Sequence, residues 1–301
     1  MLVVENLTKK YGEYYAVRNL SFTVDSPGVY ALLGTNGAGK TTAIRMLLGM
    51  LACDVGSVSW LGKPLSAVDD NVGYLAEERG LYPRYNVVEQ LTYFARLRGM
   101  SRRDALSAID YWFTRLCIDE HKKKRADQLS KGNQQKVQFA CSLISDPDVI
   151  VLDEPLSGLD PVNSDLFSGV IRELIKRDKY VIMSSHQMST VEEFCENITI
   201  LYRGNTVLQG NLADIKAKSG RNRLSVRCEH MNIMSFASNM KVLSHTPVQT
   251  DFEVKDENDA HELLRELVKN GLNVIKFELR EPNLHEIFVN VIAENGGVNV
   301  S

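Results

Sequence analysis

The sequence predicts an α/β protein: a mostly parallel sheet with an antiparallel edge sheet and a helical subdomain, followed by a small α+β domain. Three observations predict it. The apolar run Val29-Tyr30-Ala31-Leu32-Leu33 leads directly into Gly34-Thr35-Asn36-Gly37-Ala38-Gly39-Lys40-Thr41, and that into Ala43-Ile44-Arg45-Met46-Leu47-Leu48, which is strand, glycine loop and helix in immediate succession. Farther on, Val149-Ile150-Val151-Leu152 and Tyr180-Val181-Ile182-Met183 are strand-like runs separated by a helical stripe of Leu166, Val170, Ile171 and Leu174, the spacing of a parallel strand-helix-strand unit. Finally, the polar segment Lys216-Ala217-Lys218-Ser219-Gly220-Arg221-Asn222-Arg223 interrupts the pattern, and a new alternation, Leu224/Val226/Cys228, begins after it.

The elements follow in order. Runs at Val3 to Leu7, Leu20 to Val24, Val29 to Leu33 and Val58 to Leu61 flank the glycine loop and read as an antiparallel edge sheet beside the parallel core. From Val87 to about Cys117, Leu91, Phe94, Ala95 and Leu97, then Leu106, Ile109, Trp112, Phe113 and Leu116, recur at helical spacing and are expected in the core. A hairpin, Ile198 to Tyr202 and Thr206 to Gln209 around Arg203-Gly204-Asn205, closes this part. The expected organisation is a domain at 1–215 with a helical subdomain at about 86–145, a linker at 216–223 and a small domain at 224–301. In the last, strands at Phe252 to Val254 and Ile275/Phe277/Leu279 alternate with a helix around Leu263, Leu264 and Leu267 and one from Asn283.

The 301 residues, 44% hydrophobic and 24% charged, can bury one large core and a small second one. A net charge of -3 supplies no overall basic field, so no nucleic-acid partner is expected. Cys53, Cys117, Cys141, Cys195 and Cys228 are scattered and without CxxC spacing, as expected of reduced, mostly buried thiols in a cytosolic protein. The start, Met1-Leu2-Val3-Val4-Glu5-Asn6, reaches a carboxylate before an apolar stretch can form, so no signal peptide is expected. The most apolar segments, Ala43 to Cys53 with Arg45 inside it and Val149 to Leu152, fall short of the roughly 20 residues that cross a bilayer. Contact with a membrane is expected to run through a partner.

Gly34 to Thr41 is a complete G-x-x-x-x-G-K-[ST] in the context that makes it a phosphate site. Backbone N–H groups from Gly34 through Thr35, Asn36, Gly37, Ala38 and Gly39 can curl around a polyphosphate, and the helix behind them aims its positive end at it. Lys40 reaches the β and γ oxygens, and the Thr41 hydroxyl, with Thr42 next to it, sits where a Mg2+ ligand is needed. ATP or GTP is the expected ligand. The strand Val149 to Leu152 ends in Asp153-Glu154-Pro155, which puts two carboxylates at the carboxyl edge of a parallel sheet, where nucleotide sites form. Asp153 is suited to hold Mg2+ through water, and Glu154 to polarise the water that attacks a γ-phosphate.

With these two motifs in place, the segments around them resemble the ABC-type ATPases. Leu129-Ser130-Lys131-Gly132-Asn133-Gln134-Gln135-Lys136 resembles the LSGGQ signature, Ser157-Gly158-Leu159-Asp160 the D-loop, and Ser184-Ser185-His186 the switch histidine. Tyr11 matches the aromatic that stacks on adenine. Order and spacing agree over roughly the first 215 residues. The resemblance implies a head-to-tail pair, a homodimer or a pairing with another ABC ATPase subunit, in which ATP is sandwiched between the phosphate loop of one chain and the signature of the other. Ser130 and Gly132 would then act in trans, Asp160 would link the two sites, and His186 would contact the γ-phosphate.

Two departures stand out. Where the family has Gln at a strand end, Val72-Gly73-Tyr74-Leu75-Ala76-Glu77-Glu78-Arg79 places Glu77, which could ligate Mg2+ but adds repulsion near the γ-phosphate. The signature reads Ser-Lys-Gly-Asn, so Lys131 stands where glycine is usual. The ending Leu279-Arg280-Glu281-Pro282-Asn283-Leu284-His285-Glu286-Ile287-Phe288 resembles ATPase subunits of ABC-2-type bacterial exporters, including the sodium-export and multidrug or peptide-resistance groups. That resemblance implies an energy-coupling subunit on the inner face of the cell membrane beside a separate integral membrane permease. The loop Arg79 to Asn86, with Leu81, Tyr82 and Pro83 exposed, would meet the permease. A chromosome-maintenance ATPase would need a long heptad coiled coil that this chain lacks. A soluble ABC-type factor acting on a ribosome, the alternative, would normally carry two ATPase domains. The run His121-Lys122-Lys123-Lys124-Arg125 reads as a solvated face, and His230, His245, His261 and His285 as surface histidines without metal-ligand spacing.

Overall fold

The structure, a computed structural model, describes residues 1–67, 69, 71–78, 80–228, 233–237 and 240–295. Of the residues named above, Arg79, His230 and the end of the chain from 296 lie outside these. The chain divides into two compact units, 1–209 and from Gly210 onward.

The first unit opens with β1 (Leu2–Tyr11), β2 (Tyr14–Val24), β3 (Gly28–Gly34), α1 (Lys40–Leu47), β4 (Val55–Trp60), β5 (Lys63–Pro64) and β6 (Val72–Leu75). Helices α2 (Val87–Leu97), α3 (Arg102–Arg115) and α4 (Lys131–Leu143) follow, then β7 (Val149–Asp153), α5 (Pro161–Lys176), β8 (Tyr180–Ser185), α6 (Met188–Val191), β9 (Cys195–Tyr202) and β10 (Asn205–Asn211). The strands lie in the order β5-β4-β1-β2-β10-β9-β3-β8-β7-β6. The antiparallel edge is therefore continuous with the parallel core, joined where Asn205 of β10 pairs with Arg18 of β2.

β3 is buried at every position, as an apolar run covered on both faces of a parallel sheet must be. It runs parallel to β9 and β8, with Leu33 opposite Ile200 and Ser185. β7 lies between β8 and β6, with Asp153 opposite Ser184 and Leu75 opposite Leu152. The carboxyl ends of β3, β6, β7 and β8 thus share one edge of the sheet, and the segments that leave them bring the phosphate loop, Glu77, Glu154 and His186 to that edge.

The helical pattern from Val87 to Cys117 is two helices. Gly99, at φ +80°, ends the first turn-out, and the Ser101 hydroxyl caps α3 by accepting from the Asp104 N–H at 3.1 Å. Leu91, Ala95, Ile109, Trp112, Phe113 and Leu116 are buried as expected, but Leu97 is 66% exposed and Leu106 37%, so these two are not core residues. The stripe is wider than the surface the neighbouring helices cover.

The second unit contains α7 (Leu212–Ser219), β11 (Arg223–Cys228), β12 (Lys241–His245), β13 (Thr250–Glu253), α8 (Glu257–Lys269), β14 (Val274–Arg280) and α9 (Leu284–Glu294). Its antiparallel sheet runs β12-β13-β11-β14 over a core of Leu224, Val226, Phe252, Leu263 and Leu267. Segment 216–223, expected as a linker, is mostly helix and strand instead. Asn211 Oδ1 accepts from Ala213 and Asp214 and starts a helix that runs through Ser219, and Arg223 already belongs to β11, so the boundary falls at 209/210. The run reads as a linker because only Leu212 of α7 is buried, and a helix with no apolar stripe leaves no period in the sequence.

The tail segment has a structural reason for its residues. Asn283 caps α9, accepting from Glu286 N–H at 2.9 Å, while Glu286 Oε2 accepts from Asn283 N–H at 2.7 Å. Arg280 grips the same carboxylate with both guanidinium nitrogens, at 2.7 and 2.9 Å.

Candidate functional site

Chain geometry demands glycine at two points of the phosphate loop. A Cβ at Gly34 would lie 2.4 Å from the Leu201 carbonyl oxygen, and one at Gly39, where φ is +107°, 2.2 Å from that of Ala16. Lys40, the first residue of α1, is buried. Its Nζ donates to the carbonyl oxygens of Gly34 at 2.8 Å and Thr35 at 3.2 Å and pairs with Glu154 Oε1 at 3.1 Å.

The two carboxylates at the end of β7 are held differently. Asp153 is buried, and its Oδ1 accepts from the Ser184 hydroxyl at 2.6 Å and from that of Thr41 at 3.4 Å, while its Oδ2 is buried with no hydrogen-bond partner. Burial pushes the Asp153 carboxyl above its usual range, against the pull of the Ser184 and Thr41 hydrogen bonds. Glu154 has a φ of +51°, a sparsely populated conformation for a side chain of this size, and its N–H donates to Ser184 Oγ at 2.9 Å. Its Oε2 takes His186 Nδ1 at 2.8 Å and the His186 N–H at 3.3 Å. The Glu154 carboxylate is thereby fixed between Lys40 on one oxygen and His186 on the other.

Above this cluster opens a cavity of about 440 Å³. Its walls are the loop from Asn36 through Thr42, with Tyr11, Tyr14, Glu77 and Glu154. Gly34 and Thr35 lie beneath it as acceptors for Lys40, Asp153 approaches through Thr41, and His186 through Glu154. Sequence reasoning did not single out Tyr14, and it gave Ser184 no role beyond its place in the Ser184-Ser185-His186 motif. Tyr14 is the cross-strand neighbour of Tyr11 and its hydroxyl lies 3.5 Å from the Gly37 carbonyl oxygen. Ser184 ties Asp153 to the backbone of Glu154. The adjacent pair Ser184-Ser185 at the end of the otherwise apolar β8 was the available signal.

Ser130, Gly132 and Asp160 do not line this cavity. Ser130 caps α4, with Oγ accepting from Asn133 N–H at 3.3 Å, and Asp160 caps α5, accepting from Asn163 N–H at 3.0 Å, which holds its carboxyl below the usual range. A Cβ on Gly132 would lie 3.5 Å from Asn163 Nδ2, and that amide also bonds Asp160 Oδ2. Gly132 and Asp160 thus meet at Asn163, away from this cavity. Helix α4 also reaches toward the sheet edge: Gln135 donates to the Pro155 carbonyl oxygen at 3.1 Å and Gln138 to that of Glu78 at 3.2 Å.

After Glu77, Tyr82 and Pro83 are exposed as expected, and Leu81 is half-buried. Gln90, buried in α2, pins the loop through the N–H of Tyr82 at 2.9 Å and the carbonyl oxygens of Tyr82 and Tyr85. Leu81, Phe94, Leu97 and Tyr74 border a second cavity of about 570 Å³. Two expectations about quieter features are corrected. His121 is buried, against Asn133, and Lys122 pairs with Asp110 and Asp119 at 2.8 Å each, where the run folds back on α3, while Lys123, Lys124 and Arg125 are exposed as expected. Of the cysteines only Cys195 is buried and Cys117 is exposed, with no disulfide among the described residues.

Comparison with known proteins places the chain. Residues 17–157 match the ABC transporter family, and residues 210–292 match the ATP-binding protein DrrA1-3-like C-terminal domain. The chain is 39% identical to the uncharacterized ABC transporter ATP-binding protein YhaQ of Bacillus subtilis (strain 168), over 96% of this chain and 97% of that one. It is 26% identical to the linearmycin resistance ATP-binding protein LnrL of the same organism, over 97% of this chain and 98% of that one. Among solved structures, an ATP-binding subunit of an ABC transporter superposes with a TM-score of 0.67 at 27% identity, covering 73% of this chain and 93% of that one. With a phosphate loop, a buried Asp-Glu pair and a histidine at one sheet edge, and a relative this similar along nearly its whole length, the chain belongs to the ATP-binding, ATP-hydrolysing subunits of ABC transporters.

Proposed function

We propose that this chain powers export as one half of a head-to-tail pair, with a second copy or a paired ATPase subunit, on the cytoplasmic face of an integral membrane permease. One observation carries the reading. The cavity gathers the phosphate loop, Tyr11, Glu77 and Glu154, while Ser130, Gly132 and Asp160 lie away from it. A sandwich between two chains needs that division, because each signature then closes the other chain's cavity.

In that reading Tyr11 stacks on adenine, Lys40 turns from its own loop to the β and γ oxygens, and the partner's signature supplies the Ser130 hydroxyl and backbone N–H groups at the start of α4. Glu154 accepts the proton of the attacking water as oxygen adds to the γ-phosphorus and the bond to the bridging oxygen breaks, its electrons leaving with ADP. His186, at 2.8 Å from Oε2, orients that carboxylate and touches the γ-phosphate. The donor set fits Mg2+: a buried Asp153 oxygen without a partner and the Thr41 hydroxyl are hard oxygen donors. No cluster of three or more His, Cys, Asp or Glu that could hold a metal unaided occurs among the described residues, so phosphate oxygens and water would complete the shell. The bound ion would neutralise charge on the phosphate oxygens.

The kinship to a resistance ATP-binding protein and the C-terminal match support the export direction. No helix among the described residues is long and apolar enough to cross a membrane, which supports a separate permease as the membrane component. The cavity beside Leu81, whose chain neighbour Tyr82 is exposed, suits a short cytoplasmic helix of that permease. Sedimentation of the Glu154→Gln chain tests the pairing: ATP is expected to convert monomer to dimer, and a monomer at saturating ATP would contradict it. Serine at both Leu81 and Tyr82 should spare basal ATP turnover yet prevent recruitment to membranes carrying the permease; unchanged recruitment removes this loop from the contact.

A further inference from the structure

Two residues of this chain sit where local physics disfavours them. Glu77 is an exposed carboxylate on the wall of a cavity that already holds Glu154, with Asp153 behind Thr41, and the ammonium of Lys40 is engaged by Glu154. Among the described residues Glu77 has no ion pair or hydrogen bond of its own. Lys131 is the first residue of α4, a cation at the positive end of a helix, with no acidic residue in that first turn and likewise no partner among the described residues. Either choice alone would be a local inconsistency of the kind that sequences keep at functional positions.

We propose that each residue answers the other across the dimer: Glu77 of one chain pairs with Lys131 of the second copy beside the γ-phosphate. The proposal rests on the head-to-tail reading above, which sets the signature of one chain against the cavity of the other. In that arrangement the Lys131 side chain, next to Ser130, approaches the cavity wall that bears Glu77. The extra negative charge at Glu77 repels the γ-phosphate within its own chain, and the incoming Lys131 attracts both groups. The pair therefore weakens nucleotide capture by a single chain and rewards closure of two. Its signs differ for the two steps, which separates it from a merely structural role. Glu77→Gln should tighten ATP binding to the isolated chain while loosening the ATP-bound dimer.

The experiment is a double-mutant cycle in the Glu154→Gln chain, which holds the dimer with ATP bound. The dimer dissociation constant is read by sedimentation at saturating ATP for Glu77→Gln, Lys131→Ala and both together. Glu77→Gln should weaken the dimer by about fivefold and Lys131→Ala by more, because it also loses the phosphate, while Glu77→Gln should have no further effect once Lys131 is gone. Lys131→Glu should weaken the dimer most, and adding Glu77→Lys should recover part of that loss. Equal losses from Glu77→Gln with and without Lys131, or no recovery on reversal, overturn the pair while leaving the sandwich standing. Absence of an ATP-dependent dimer in the parent Glu154→Gln chain overturns the sandwich and the pair together.

Discussion

The two units of this chain both bury charge, and they do so to opposite effect. In the second unit Arg223, almost wholly covered, pairs with Glu253 at 3.1 Å, and the Glu286 carboxylate is forked by Arg280 and capped by Asn283. Burial pushes Glu286 up, but the Arg280 hydrogen bonds and the Asn283 N–H outweigh it, and its carboxyl is held below the usual range. At the phosphate site the balance is reversed. Asp153 keeps one oxygen unpartnered, its carboxyl is pushed up by burial, and Glu154 beside it sits at a positive φ. A network in which every charge faces a counter-charge stabilises a fold, even though Arg223 Nε is buried without a hydrogen bond, 3.8 Å from Glu286 Oε1. A network left short of one cation, with a carboxylate oxygen unpartnered, is the kind of local conflict that sequences keep at functional positions.

Breaking the active half should cost rate. Glu154→Gln keeps the shape of the side chain but cannot take the proton, and turnover should fall at least about a hundredfold with ATP binding retained. A loss of only a few fold in steady-state hydrolysis would reassign the base.

Breaking the satisfied half should cost stability instead. Glu286→Ala strands Arg280 and removes the cap box of α9, an effect of about 2 kcal/mol, visible as faster amide exchange across α9. Exchange unchanged there would mean that the fork contributes nothing to the second unit.

The comparison is sharpened by removing the charge that the phosphate site carries at a cost. Asp153→Asn should abolish turnover yet raise thermal stability without nucleotide by about 1 kcal/mol at neutral pH. The sign follows from linkage: a carboxyl raised in the folded state favours folding most when protonated, below the ordinary value of 3.8, and that contribution is lost as pH rises through the raised value. The gain from Asn should therefore shrink toward zero in acid. A gain independent of pH would point to packing rather than charge.

What could be read from the chain alone follows how local each cause is. Gly34 to Thr41 with its flanking strand and helix, the Asp153-Glu154 strand end and the helix start at Asn283 are short stretches whose residues interact with near neighbours, and they stand where the pattern places them. The course of β12 was not legible because all of its residues are exposed and no alternation is left. The joining of β10 to β2 depends on one distant pair, Asn205 and Arg18, which no local period announces. The role of Ser184 was hidden for the same reason: it comes from Asp153 and Glu154, thirty or so positions away in sequence but adjacent across the sheet.

The central claim, that the cavity of one chain is closed by the signature of another, is tested most directly by complementation. Lys40→Ala removes the phosphate loop's cation and leaves the signature intact; Ser130→Arg does the reverse. Each variant alone should be inactive. Mixed in equal amounts, they should recover hydrolysis approaching about a quarter of the unmodified rate, because half of the randomly formed dimers carry one complete composite site. A mixture as inactive as its components would contradict a site shared between chains.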